Sequence, residues 1–195
     1  PDLAERPPAA FAAEARADAM TPLGRKLAER IAREGPISVA EFMAACLGDA
    51  EHGYYRGRDA IGAQGDFVTA PELTPLFGQT LAVQVAQAMA LSAPTVLEAG
   101  AGSGRLAADL LLALDRMDRL PDRYLILELS GELRARQRQW IARTAAHLAG
   151  RVEWLDRLPE RLSGCVIGNE LLDAMPVHTL AWRETGLMER GVIMG

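Results

Sequence analysis

Cysteine is scarce: Cys46 and Cys165 are the only two among 195 residues. They are too few and too far apart for a disulfide framework or a zinc site. Reduced structural thiols fit an intracellular compartment. Positive charge is short as well. Twenty-one Lys and Arg against 26 Asp and Glu leave a net charge of −5, which argues against general binding along a phosphate backbone. The local basic run Arg134-Ala-Arg136-Gln-Arg138 reads as a solvated helix face. No uninterrupted apolar run reaches the length of a membrane span, and no signal-peptide pattern opens the chain. His52 and His178 could serve as general bases, but neither falls at an expected strand end. What is present is ordinary for a globular protein, 49% hydrophobic and 24% charged, and long enough for one domain with an appendage.

The rest is organised around Thr95-Val-Leu-Glu98-Ala-Gly100-Ala-Gly102-Ser-Gly104, followed at once by a helix-forming segment. A β-branched and apolar run ending in an acid, then alternating glycines, then a helix, reads as strand, tight turn and helix. Without a Cβ, the turn can bend sharply and admit a ligand close to the main chain. The helix start adds free N–H groups and a positive dipole end, which suit an anionic group. A dinucleotide site calls for a third glycine where Arg105 stands, and the Gly-Lys-Ser/Thr ending of a Walker loop is missing. The E-x-G-x-G form is similar to motif I of the class I S-adenosylmethionine (SAM) methyltransferases. The turn alone leaves open a dinucleotide site or a turn without a ligand.

Residues 1–21 read as a leader, 22–93 as an N-terminal helical region, and 94–195 as the core. Pro22 opens a helix that runs to about Glu34, where Gly35-Pro36 stops it. Ser38 and Glu41 form a capping box for a second helix, Val39 to Leu47. A long glycine-rich loop with Gly65, Asp66 and Thr69 follows, and loops of that length are functional or disordered. A helix from Pro75 to Leu91 should bury Phe77, Leu81, Val85 and Met89. Beyond the glycine turn, Leu106 to Arg119 reads as helix, Tyr124 to Glu128 as strand, Gly131 to Leu148 as helix and Val152 to Trp154 as strand. Cys165 to Glu170 reads as a further strand, and a hairpin closes the chain around Glu184-Thr-Gly186. This alternation predicts an α/β fold, a Rossmann-like parallel sheet with helices on both faces and an N-terminal helical extension.

In such sheets ligands lie beyond the carboxyl ends of the strands. Glu98, Glu128, Asp156 and Asn169-Glu170 all fall there. Glu128, at the second strand end, has the reach to accept two ribose hydroxyls, the alternative being a plain exposed carboxylate. Asp156 is the weaker candidate because turns favour Asp.

Four segments together carry a more specific resemblance: Gly65-Asp66-Phe67-x-Thr69-x-Pro71-Glu72, Phe77-Gly78, the glycine turn, and Asn169-Glu170-Leu-Leu-Asp173-Ala-Met-Pro176-Val177. The sequence resembles the MidA family of class I SAM-dependent methyltransferases, relatives of a mitochondrial complex I assembly factor that methylates an arginine. The resemblance covers about Pro22 to Gly195. It implies SAM as cofactor and N-methylation of an arginine in a partner protein, the large hydrophilic quinone-module subunit of the respiratory NADH dehydrogenase. It also implies that Glu98 holds the methionine amino group, that Gly100, Gly102 and Gly104 pass the cofactor, and that Glu128 holds the ribose. Gly65, Thr69 and Asp156 complete the expected cofactor set.

A guanidinium stays protonated and is a poor nucleophile, so an arginine methyltransferase needs carboxylates that grip the fork and localise its charge. Glu170 with Asp173 is the expected grip, Asn169 orients the nitrogen, and Asp66 could close over the site. Class I sheets of this type have seven strands, so C-terminal strands are expected to be missing and the chain alone to be a poor enzyme. A non-catalytic assembly scaffold and an NAD-binding oxidoreductase remain as alternatives, the latter disfavoured by Arg105.

Overall fold

The computed structural model describes residues 20–54 and 68–194. Helix α1 (Pro22–Glu34) starts under a Thr21 cap whose side chain accepts from Gly24 N, and it ends at Gly35, where φ is 87°. Strand β1 (Ile37–Ser38) follows at once, and its last residue is also the cap of α2 (Val39–Gly48). The Ser38 hydroxyl accepts from Glu41 N while Glu41 accepts from Ser38 N, so the capping box forms as expected. The short helix α3 (Ala70–Leu73) leads into α4 (Leu76–Leu91).

Strand β2 (Thr95–Ala99), helix α5 (Arg105–Arg116), strand β3 (Arg123–Leu127) and helix α6 (Gly131–Thr144) then alternate. The expected single helix to Leu148 breaks instead at Ala145, whose backbone (φ −136°, ψ 47°) leaves the helical region, and a 3-10 turn, Ala146–Arg151, takes over. Strand β4 (Val152–Leu155) and strand β5 (Cys165–Ile167) complete a sheet. After a short 3-10 turn, Leu172–Ala174, come β6 (Leu180–Arg183), β7 (Gly186–Glu189) and β8 (Gly191–Val192).

The chain divides into two compact units. In one, residues 20–54 join residues 176–194. Here Leu27, Ile31 and Ile37 form a small core, and β1 pairs antiparallel with β8, Ile37 opposite Val192. The expected closing hairpin is present as β6 paired with β7, but its continuation as β8 onto β1 is new. Nothing in so short a segment as Gly191-Val192 signals a partner so distant in sequence.

The other unit, residues 68–175, contains the parallel sheet in the order β4-β3-β2-β5. Its main core joins Leu110, Leu111 and Leu114 of α5, Val85 and Met89 of α4, Val96, Tyr124 and Ile126 of the strands, and Ile141 of α6. Helix α4 buries Gly78, Ala82, Val85 and Met89, with Phe77 and Leu81 half-buried beside them. A Cβ at Gly78 would stand 2.7 Å from the Cβ of Asp109, so this glycine sets how closely α4 crosses α5. Strand β5 is the sheet's edge and ends at Ile167, short of the expected Glu170. Among the described residues, no helix is long and apolar enough to cross a membrane.

Candidate active site

Because the four strands are parallel, their carboxyl ends share one edge of the sheet. The central feature there is the turn after β2. Gly100, Gly102 and Gly104 all have positive φ, at 69°, 53° and 86°. The Gly100 N–H donates to Leu127 O at 3.1 Å, tying the turn to the end of β3. A Cβ at Gly100 would stand 2.9 Å from Cδ1 of Leu171, and one at Gly104 would stand 3.1 Å from Cα of Gln137. The left-handed backbone favours glycine at both positions, and at Gly104 an added Cβ would also crowd the backbone of α6.

Glu98 lies inside β2 rather than at its open end, opposite Ile126 and Ile167. It is 2% exposed, and the Tyr124 hydroxyl donates to its Oε2 at 2.6 Å. Burial pushes its carboxyl up to about 7, with the Tyr124 hydrogen bond pulling the other way. The same burial, together with the neighbouring Glu98, raises the Tyr124 phenol well above its ordinary range. Glu98 and Tyr124 thus form a buried acid–phenol pair beneath the turn that follows β2.

Glu128 follows β3 directly and is 9% exposed. Its Oε1 accepts from Ser130 N at 2.9 Å and its Oε2 from Gln137 Nε2 at 3.1 Å. Beneath it, the Arg134 guanidinium donates to Glu128 O at 2.6 Å and to Leu155 O at 2.9 Å, bridging the ends of β3 and β4. This corrects the solvated-face reading of 134–138 at Arg134, whereas Arg138 is exposed as expected. Arg134 is a brace, and Arg138 stacks on Trp154 at 4.6 Å from the ring centre. Asp156 is exposed just past β4.

Beyond β5, Asn169 is half-buried and Glu170 exposed. Glu170 has φ 50°, a left-handed conformation that a non-glycine residue adopts at some cost. Leu171 underlies Gly100, so the Asn-Glu segment sits beside the glycine turn. Asp173 is exposed in the following 3-10 turn. Thr69 precedes α3 without capping it through its side chain. Gly65 and Asp66 lie outside the described residues.

Three residues not expected from the sequence join the site. Glu72 of α3 accepts from the Ser103 hydroxyl and pairs with Arg105 Nε at 2.9 Å, clamping the end of the glycine turn. Arg105 also stacks on Trp140 at 4.5 Å. Its place at the missing third glycine is thus a packed and paired one. Tyr124 and Gln137 are the other two. Gln137 had a visible signal, since it shares a helical face with Ile141 four residues on, which makes it a polar residue on an apolar stripe. His178 pairs with Glu189 within the hairpin unit, and among the described residues no His, Cys, Asp and Glu group could hold a metal ion.

A four-stranded parallel sheet flanked by helices, with a glycine turn after one strand and a buried acid after the next, is the Rossmann-like architecture of class I methyltransferases. The chain belongs to the family described as "putative S-adenosyl-L-methionine-dependent methyltransferase", whose pattern matches residues 80–195. It is similar to the mitochondrial protein arginine methyltransferase NDUFAF7 homolog of Caenorhabditis elegans, 30% identical over 181 residues that span 80% of this chain and 42% of that protein. Human NDUFAF7 is 40% identical over 96 residues, 47% of this chain and 22% of that one. A crystal structure from Burkholderia thailandensis bound to S-adenosyl-homocysteine superposes with a TM-score of 0.81 at 49% identity, over 89% of this chain and 46% of that one. The chain spans less than half the length of these relatives. The resemblance drawn from the motifs is borne out at the level of family and fold.

Proposed function

We propose that this chain binds SAM at the carboxyl edge of its parallel sheet and supplies the cofactor site of a methyltransferase that acts on an arginine of a partner protein. The observation that carries the reading is Glu128. Its two oxygens take one hydrogen bond each, from Ser130 N and Gln137 Nε2. A carboxylate has room for about four, so each oxygen keeps capacity for one hydroxyl of a vicinal diol. The glycine turn lies one strand away, where a Cβ at Gly100 would crowd Leu171. These residues fit a ligand with a ribose at one end and an amino-acid chain at the other. The relative bound to S-adenosyl-homocysteine supports the same ligand class.

When bound, SAM supplies a methyl group on a sulfonium, open to in-line attack. The protein's part is to hold a guanidinium in line and shift its charge from the attacking nitrogen. Glu170 and Asp173 take that role, with Asn169 orienting the nitrogen. Asp66, Gly65, Thr69 and Asp156 complete the proposed lining. The arginine substrate draws support from the names of the NDUFAF7 relatives. The resemblance points to the quinone-module subunit of complex I as the partner.

Calorimetric titration of SAM and NAD into the chain, with Glu128→Ala beside it, tests the cofactor. SAM binding that the substitution weakens, with NAD silent, is the expected result. NAD binding in its place would overturn the reading.

A further inference from the structure

Gln137 is completely buried on α6, yet every polar atom of its amide is used. Nε2 donates to Gly102 O at 3.0 Å and to Glu128 Oε2 at 3.1 Å, and Oε1 accepts from Trp154 Nε1 at 2.9 Å. The partners dictate which way the amide points. An indole N–H only donates, while a carbonyl and a carboxylate only accept, so a flipped amide would lose all three bonds. One side chain thus joins the glycine turn, the acid after β3 and the indole of β4. Gly104 allows this approach, since a Cβ there would press on Gln137 Cα. Ser130 N fixes the other oxygen of Glu128.

A glutamate at a strand end normally loses rotamer freedom when a ligand orders it, and that cost weakens binding. Here the ordering is already done in the folded chain. We infer that Gln137 is a positioning residue for the ribose end of the cofactor. It aims the Glu128 carboxylate at the two ribose hydroxyls and locks it to the glycine turn, so that the site discriminates ribosyl from deoxyribosyl ligands. This rests on the SAM reading above and adds to it a residue that acts only through Glu128 and Gly102.

The test is calorimetric binding of S-adenosyl-homocysteine and its 2′-deoxy and 3′-deoxy analogues to the chain, to Gln137→Met, which nearly preserves volume, and to Trp154→Phe, which deletes the indole donor. In the unsubstituted chain each deoxy analogue should bind about tenfold more weakly than the parent, the worth of one charge-assisted hydrogen bond. In Gln137→Met the parent should weaken about tenfold and the deoxy penalty should shrink to about threefold or less. Trp154→Phe should shift the penalty in the same direction by a smaller factor, and it carries the test if Gln137→Met does not fold. A merely structural role would weaken all three ligands alike and leave the penalty intact, and that result overturns the inference while sparing the SAM reading. Failure of the unsubstituted chain to bind S-adenosyl-homocysteine would overturn both.

Discussion

Tyr124 on β3 and Glu98 on β2 meet inside the parallel sheet, the phenol donating to the carboxylate across 2.6 Å. Glu98 stands opposite Ile126 in the ladder, and Tyr124 lies two residues back on the same face, so the contact is a cross-strand diagonal. Both groups are buried, and Tyr124 belongs to the main apolar core. One hydrogen bond does not replace the hydration that a carboxylate loses there, which is why the acid holds its proton to about 7.

The sign of the resulting pH effect follows from that. An unfolded Glu98 ionises near the ordinary 4.5, whereas the folded one holds its proton to about 7. Between those values the native chain binds more protons, so stability should fall as pH rises through this window, by roughly 3 kcal/mol. Glu41 and Asp49, held below their usual range by hydrogen bonds from Ser38 and from the Glu51 and His52 backbone, act the other way, and their contribution is lost only as pH falls further. Urea unfolding midpoints at pH 5, 6, 7 and 8 for the chain and for Glu98→Gln should diverge, the variant giving the flatter profile. An equal slope in both would rule Glu98 out as the titrating group.

Much of the fold could be read from the sequence, because its signals are local. The capping box at Ser38, the helix stop at Gly35 and the acid after Leu127 are each set by a few neighbouring residues. What escaped depends on side chains meeting across long sequence distances. Glu72 reaches Ser103 and Arg105, Gln137 reaches Gly102, and β8 finds β1. Glu98 was legible as an acid near the turn but not as a buried one. Its environment is supplied by β3, and an apolar run ending in Glu looks the same whether the carboxylate opens to solvent or turns inward.

Gly104→Ala should be costly on two counts. A φ of 86° places a Cβ in a left-handed conformation, and the added atom would meet the backbone of α6 at 3.1 Å. A loss of about 2 kcal/mol in urea unfolding is expected, with weaker S-adenosyl-homocysteine binding. Gly131→Ala is the control. It sits at the first position of α6, a Cβ there meets nothing within 4 Å, and stability should hold or rise by about 0.5 kcal/mol.

Glu72→Ala should loosen the turn without unfolding the sheet. It removes the acceptor for the Ser103 hydroxyl and the partner of a half-exposed Arg105, which keeps its stacking on Trp140. A stability loss of about 1–2 kcal/mol is expected, with a clear drop in ligand affinity. Arg105→Ala should cost affinity less, since Glu72 would still hold Ser103. If Glu72→Ala bound S-adenosyl-homocysteine as tightly as the parent chain, the clamp would be packing alone.

Glu170 offers a substitution in which stability and activity should move in opposite directions. Its φ of 50° costs a residue with a Cβ roughly 1–2 kcal/mol. Glycine adopts that backbone freely but gives up about 0.5–1 kcal/mol through the entropy of the unfolded chain. The first figure is the larger, so Glu170→Gly should raise stability slightly, by about 0.5 kcal/mol. Asparagine tolerates the same conformation and should behave alike. Both variants keep the glycine turn and Glu128, so S-adenosyl-homocysteine should still bind. Both lack the carboxylate proposed to grip the guanidinium, so whatever transfer of a labelled methyl group to the quinone-module subunit the parent chain supports should be lost. A backbone strained around a glutamate that could be relieved by one substitution is what a functional side chain would maintain. Undiminished transfer by Glu170→Gly would instead make that φ a feature of the loop and move the search for the grip to Asp173.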